Sequence, residues 1–247
     1  MEDQFSRTRL LIGQPALETL KGAKVAVFGI GGVGGYVAET LARSGIGALD
    51  LFDNDTVSVT NLNRQIYALH STLGLPKVEV AANRILDINP LCTVGQYKMF
   101  YLPENADKID LSLYDYVVDC IDTITAKLEL IKRCHTLHVP IISSMGAAYK
   151  LDASAFRVAD INKTQMDPLA KVIRKKLRKL GIPHLKVVYS EEKPLDFSPQ
   201  STEQSSTEDA PKKHGQGKTP ASIAFAPAAA GIIIGGEVVC DLIQQTV

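Results

Sequence analysis

A chain of 247 residues, 45% apolar and 22% charged, is long enough to bury a sizeable core and has the composition of a soluble globular protein. Its 27 basic and 27 acidic residues cancel, which excludes nucleic-acid binding through overall charge and leaves that role to local patches. The four cysteines, Cys92, Cys120, Cys134 and Cys240, form no CxxC pair. They argue against a zinc ribbon and a disulfide framework and fit a reducing cytoplasm, and the N-terminus shows no apolar core of a signal peptide.

Taken in chain order, Val25 to Ile30 predicts a strand that runs into Gly29, Gly31, Gly32 and Gly34, followed by a helical pattern over 34–44. Strand, glycine turn and helix N-terminus together can cradle a phosphate, since the glycines admit close backbone approach and the first-turn N–H groups face an anion. The alternative is a glycine turn that only packs a helix on a sheet. Asp53 ends the next strand, 48–53, about twenty residues on, where an acid can accept from a ribose hydroxyl. Further strands are expected at 92–97, 115–121 and 140–144, with helices over 76–88 and 123–137. This alternation predicts a doubly wound, Rossmann-like and mostly parallel sheet.

Between the second strand and the 76–88 helix lie Asn61, Asn63, Arg64 and Gln65, then Lys77 at the helix start. They fall at the carboxyl edge of the sheet, where open α/β folds bind ligands. A dinucleotide has little use for Arg64 and Lys77, whereas a triphosphate needs its charge neutralised in the transition state. Asp122, leaving the fourth strand in VVDCIDT beside Thr123, is a hard carboxylate suited to Mg²⁺. Each residue alone reads as a solvated loop charge; in this order along successive strand ends they read as an ATP site.

After Met145 the pattern changes. ASAFRVAD predicts a strand of an antiparallel extension, and MDPLAKVIRKKLRKLG a helix capped by Asp167, with Pro168 at its first position and Gly181 past its end. Its cations Lys171, Arg174, Lys175, Lys176, Arg178 and Lys179 crowd one side of an apolar stripe, either a solvated face or a ridge that tracks RNA phosphates. LKVVYS is the next strand. A polar run over 191–219 reads as a mobile crossing loop. Residues 223–243 are long and apolar enough to span a bilayer, but Pro227, Glu237 and Asp241 favour a buried C-terminal helix, and membrane association is not expected.

GxGGxG, the DxD at 53–55, TNLNRQ, the PK that opens a helix, and DCIDT together resemble the ubiquitin-activating enzyme superfamily, whose bacterial members activate a carboxylate as an acyl-adenylate. The resemblance implies Gly32 against the nucleotide, Asp53 on the ribose with Asp55 completing its DxD, and Asn61 and Arg64 facing the phosphates. It also implies Lys77 on the phosphates and Asp122 on the metal. Arg7 matches an N-terminal arginine that enters the neighbouring subunit's site, which implies a homodimer. The second half has neither paired CxxC motifs nor a cysteine between Cys134 and Cys240, which excludes thioester or persulfide chemistry in the crossing loop. It is similar instead to the tRNA threonylcarbamoyladenosine dehydratase branch.

That resemblance implies one ATP-binding domain over 1–247, with a nucleotide-binding half (1–150) and a half for substrate and dimer contacts (151–247). The implied cofactors are ATP and Mg²⁺, the implied partner is tRNA bearing threonylcarbamoyladenosine, and a sulfur-transfer or redox partner protein remains open. Activation of a small ubiquitin-like carrier protein at its C-terminal carboxylate is the competing activity. An NAD-dependent oxidoreductase would leave Arg64, Lys77 and Asp122 without a role.

Overall fold

The computed structural model describes residues 3–195 and 221–244. The mobile loop expected over 191–219 lies outside the described residues from position 196 onward.

Seven strands form one sheet: β1 (Lys24–Phe28), β2 (Ala48–Phe52), β3 (Thr93–Tyr97), β4 (Tyr116–Asp119), β5 (Ile141–Ser144), β6 (Phe156–Asp160) and β7 (Lys186–Ser190). Their order is β3-β2-β1-β4-β5-β7-β6, and all pairs are parallel except β6 with β7. Period-two alternation divides the strands between two cores. Val25 and Val27 of β1 face one side, while Ala26 and Phe28 face the other. On the first side lie α1 (Ser6–Gly22), α2 (Gly34–Ser44), α3 (Lys77–Ile88) and α6 (Phe225–Gln244); on the second lie α4 (Ile124–Leu137) and α5 (Pro168–Lys179). The sheet is doubly wound, as its alternating pattern predicts.

The strands are one to three residues shorter than expected: β1, β2 and β4 end early where the site loops begin, and β3 and β5 start one residue late, β5 after Pro140, which has no N–H to pair. Helix α1 has no clear signal in the sequence. Gly13 inside it takes φ +82° and Pro15 follows, so two helical pieces meet at a kink that reads as a breaker. Helix α5 has the expected cap: the Asp167 carboxylate accepts from the Ala170 N–H at 2.9 Å, and Pro168 opens the helix.

The apolar C-terminal segment is α6, the one described helix long and apolar enough to cross a membrane. It lies against α2 instead. A Cβ added to Gly231 would sit 2.4 Å from the Val33 carbonyl oxygen, and one on Gly235 would sit 2.7 Å from the Thr40 Cβ, so the small residues set the helix spacing. Its two acids face the protein: Lys186 donates to Glu237 and Asp241 at 2.8 Å, and the Tyr116 hydroxyl donates to Asp241 at 2.6 Å. Burial, which lowers the Lys186 pKa, is outweighed by the hydrogen bonds to Asp241 and Glu237, and the ammonium is held above its ordinary range.

Candidate functional site

Strand order reverses between β1 and β4, and a cleft of about 720 Å³ opens there at the carboxyl edge. At the end of β1, Gly29 takes φ +87°, and a Cβ there would lie 2.7 Å from the Cys120 carbonyl oxygen; at Gly34 it would lie 1.8 Å from the Gly29 oxygen. Only glycine lets the turn fold this tightly onto β4 and the start of α2. Gly29, Gly31 and Gly32 line the cleft, while Gly34 is buried behind them as a packing residue. Helix α2 begins with no side-chain cap and no acid in its first turn; Gly35 N–H and Tyr36 N–H donate to the Gly31 and Val33 carbonyls, so an anion here would meet the positive end of the helix dipole.

At the end of β2, the Asp53 carboxylate accepts from Ile30 N–H at 2.7 Å and from Asp55 N–H at 2.9 Å, which ties the glycine turn to the β2 loop. Burial holds its pKa above the ordinary value of 3.8, against the opposing pull of Lys77 and the two N–H groups. Lys77, at the first position of α3 and 5% exposed, donates to Asp55 at 2.7 Å and lies 3.9 Å from Asp53. Arg64 donates to the Thr60 carbonyl at 2.8 Å and to Asn63 Oδ1 at 2.9 Å. Asn63 is exposed and outside the cleft lining; its amide donates to the Ser222 carbonyl at 3.1 Å, linking the Arg64 loop to the segment before α6. Asn61 and Gln65 are buried and line the cleft, with Asn61 Oδ1 accepting from Ser58 N–H at 3.0 Å.

Across the cleft, Asp122 and Thr123 leave β4 just before α4, and both line the site. Asp122 is exposed, and its one hydrogen bond among the described residues comes from the Thr123 hydroxyl at 3.4 Å. Ser222 and Pro227 close over the Arg64 loop and Gly32, and the lining also includes Leu169 of α5 and residues 144–148 at the end of β5. Behind this wall lies a group that sequence reasoning missed. Lys127, Asp119 and Ser143 are all 0% exposed and hydrogen-bonded to one another. An Asp119–Lys127 spacing of eight residues across a strand–helix turn gives no periodic signal, so only the fold reveals it.

Arg7 lies on an exposed part of α1 and does not line the cleft of its own chain. On α5, Lys171, Lys175, Lys176, Arg178 and Lys179 are exposed and form no ion pair among the described residues, whereas Arg174 donates to the Ile161 and Thr164 carbonyls and to the Thr164 hydroxyl at 3.1, 3.0 and 2.8 Å. Cys92, Cys120 and Cys134 offer no ready nucleophile. Burial pushes Cys92 up to about 11 and Cys134 up to about 12, and burial with the nearby Asp119 carboxylate pushes Cys120, which lines the cleft, higher still.

A doubly wound sheet with a glycine turn, a buried acid after its second strand and an arginine and a lysine lining the cleft at its switch point defines a class of nucleotide-dependent activating domains, and the chain belongs to the ThiF family, which matches residues 5–242. Within that class the similarity is narrow. The chain is 48% identical over 246 residues to a tRNA threonylcarbamoyladenosine dehydratase of Bacillus subtilis, covering 99% of this chain and 96% of that one. The Escherichia coli tRNA N6-threonylcarbamoyladenosine dehydratase TcdA, solved in complex with ATP, superposes with a TM-score of 0.84 at 32% identity, and its AMP complex with 0.86 at 34%. Both alignments cover 98% of this chain and 95% of the other.

Proposed function

We propose that this chain is an ATP-dependent dehydratase that cyclises threonylcarbamoyladenosine in tRNA through its threonyl carboxylate. The carrying observation is one cleft holding Asp53, Arg64, Lys77 and Asp122 in a chain whose near-full-length relatives bear that name. A threonyl carboxylate oxygen attacks the α-phosphorus of ATP and pyrophosphate leaves, giving an acyl-adenylate. An atom of the neighbouring ureido group then attacks the activated carbonyl. AMP leaves with one former carboxylate oxygen, the ureido proton passes to solvent, and the nucleoside is lighter by one water. Intramolecular attack needs no protein nucleophile, since oriented groups reach effective molarities of about 10⁵ M. The raised cysteine thiols agree with that route.

In this reading Asp53 accepts from the ribose hydroxyls, the α2 N-terminus and Arg64 bind phosphate oxygens, and Lys77 exchanges Asp55 for the phosphates as charge shifts toward pyrophosphate. The donor set fits a magnesium ion carried with the nucleotide: Asp122 is an exposed carboxylate with no cationic partner among the described residues, and Mg²⁺ commonly takes one or two carboxylates beside substrate phosphates. When bound, the ion neutralises phosphate charge.

The five free cations of α5 start beside Leu169 at the cleft and run along a helix of 12 residues, about 18 Å, which suits a ridge that holds tRNA phosphates while the modified base enters. Arg174 serves this ridge by anchoring it to residues 161–164. The same reading takes the chain as a cytoplasmic homodimer in which Arg7 completes the partner's cleft; Leu10 and Leu11 beside it are 88% and 85% exposed. Incubation with Mg-ATP and tRNA bearing threonylcarbamoyladenosine, followed by mass spectrometry of the digested nucleosides, tests the reaction. An ATP-dependent loss of one water supports it, and ATP binding with no mass change points to activation of a protein carrier.

A further inference from the structure

Lys127 meets no ligand, yet it joins the two walls between which the reaction is placed. Its Cβ leans toward the N-terminus of α4, as helix geometry dictates, and carries the side chain beneath the 120–123 turn into the sheet. There Nζ donates to Asp119 Oδ2 at 2.8 Å, to Ser143 Oγ at 3.1 Å and to the Ser144 carbonyl oxygen at 3.0 Å, which uses all three ammonium donors. The Ser143 hydroxyl donates to Asp119 Oδ2 at 2.6 Å, and Asp119 Oδ1 accepts from Ile121 N–H at 3.1 Å. Asp119 and Ser143 are register partners on β4 and β5, the last paired positions before both strands end in the cleft.

The cluster therefore grips the turn bearing Asp122 through Ile121, and the neighbouring wall through the Ser144 carbonyl. That second wall, residues 144–148, lines the cleft and meets the start of α5, where Gly146 N–H donates to Asp167 at 3.0 Å. The glycine turn, Asp53, Arg64 and Lys77 are held by other contacts, so of the residues assigned to the nucleotide and its metal only Asp122 stands on the cluster. What depends on it is the offset between the phosphate side and the acceptor side. A leucine or methionine at 127 would fill the space but lose the three bonds from Nζ, leaving Asp119 only those from Ser143 and Ile121.

We propose that Lys127, with Asp119 and Ser143, is a positioning clamp that fixes the Asp122 turn against the 144–148 wall and so sets the in-line approach of the substrate carboxylate to the α-phosphate. This rests on the dehydratase reading of the cleft. Full-length Lys127→Met, Lys127→Arg and Ser143→Ala proteins are compared with the wild type by calorimetric Mg-ATP titration, by kcat and KM for pyrophosphate release with the modified tRNA, and by hydrogen exchange. The clamp predicts that Lys127→Met keeps its Kd for ATP within about threefold while kcat falls about 100-fold, the scale of a misplaced reacting pair. Lys127→Arg, which keeps the charge and can donate to the same oxygens, recovers about tenfold of that loss. Exchange quickens in 120–123 and 144–148 but not in 29–35.

If Lys127→Met does not fold, Ser143→Ala carries the test, with about a tenfold loss in kcat at unchanged KM for ATP. Unchanged kcat in a folded variant, or exchange that quickens across the whole chain with no recovery by arginine, overturns the clamp and leaves a stabilising ion pair. Should the wild type itself release no pyrophosphate with the modified tRNA, the dehydratase reading fails, and local against global exchange still decides the clamp.

Discussion

Two lysines stand at the same sheet edge, one on each side of the switch point, and both are buried: Lys77 at 5% exposure and Lys127 at 0%. Their partners set them apart. The nearest acid to Lys77 is Asp55, whose side chain is 58% exposed, with Asp53 more distant at 3.9 Å. Water can take over from Asp55 when the ammonium leaves, so an anionic ligand can recruit Lys77 at little cost. Lys127 has no such freedom, since its carboxylate, hydroxyl and carbonyl partners lie inside the protein. Removing one member of such a buried pair strands the other and costs about 3–5 kcal/mol, against about 0–1 kcal/mol for a solvated pair. A cation meant for a ligand keeps a wet partner, and a cation meant for the scaffold is saturated.

The contrast is sharpest in turnover. Lys77→Met removes the mobile cation and is expected to lower kcat by about 10²–10³ with a melting temperature close to wild type, as for loss of one transition-state donor. Lys127→Met is expected to lower the melting temperature measurably. Equal melting losses for the two would break the comparison. Asp122→Ala lies on the ligand side as well: it is exposed and joins no network beyond Thr123, so turnover with Mg-ATP should vanish while thermal unfolding stays unchanged. Normal turnover would remove Asp122 from the metal.

A smaller effect is expected outside the cleft, where α5 and α6 repeat the contrast. Lys186 donates to both Glu237 and Asp241 and locks α6 to the sheet, whereas five cations of α5 find no described partner. Reversing Lys175 and Lys176 to glutamate should raise KM for tRNA and reduce the salt slope of tRNA binding by about two, one for each phosphate no longer neutralised, with ATP affinity unchanged. Unaltered tRNA binding would make the face a solvated one. The same double reversal at Lys186 and an α6 acid is not comparable, because it would strike the fold.

The strand and helix alternation through residue 145, the glycine turn, Asp53, Arg64, Lys77 and Asp122 were legible because each is a local signal: a run of period two, a turn that needs glycine, or a charge at a strand end. The cap of α5 was legible for the same reason. Helix α1 was not, since Gly13 and Pro15 write a break into a segment that only packing against the core makes helical. The wall at 144–148 carries no charge and lies far along the chain from the nucleotide loops. Asn63 reads like its neighbours in TNLNRQ, yet it reaches Ser222, a contact that spans 159 positions. Lys127 reads as an ordinary polar position on α4, because its value comes from β5, which the chain has not yet formed at that point.

The smallest expected effect concerns protons at Asp53. Burial, working against Lys77 and two backbone N–H groups, raises its folded pKa above the ordinary 3.8. A carboxyl raised on folding contributes stability that is fully present below the unfolded pKa and is lost as pH rises through the folded one. Asp167 carries the same sign, raised chiefly by burial against the Ala170 and Gly146 N–H groups. These two carboxyls should therefore withdraw a little stability as pH climbs out of the carboxylate range, while Glu39 and Asp160, which are held low, add it. Ribose binding runs the other way, because hydroxyl donors favour the ionised acceptor. The increment in melting temperature given by Mg-ATP should grow across the same window, and Asp53→Asn should flatten that growth while leaving the Asp167 contribution to the free protein. An increment that is flat with pH in the wild type would mean that Asp53 is already ionised by its neighbours and that Lys77, mobile or not, outweighs burial at this carboxylate.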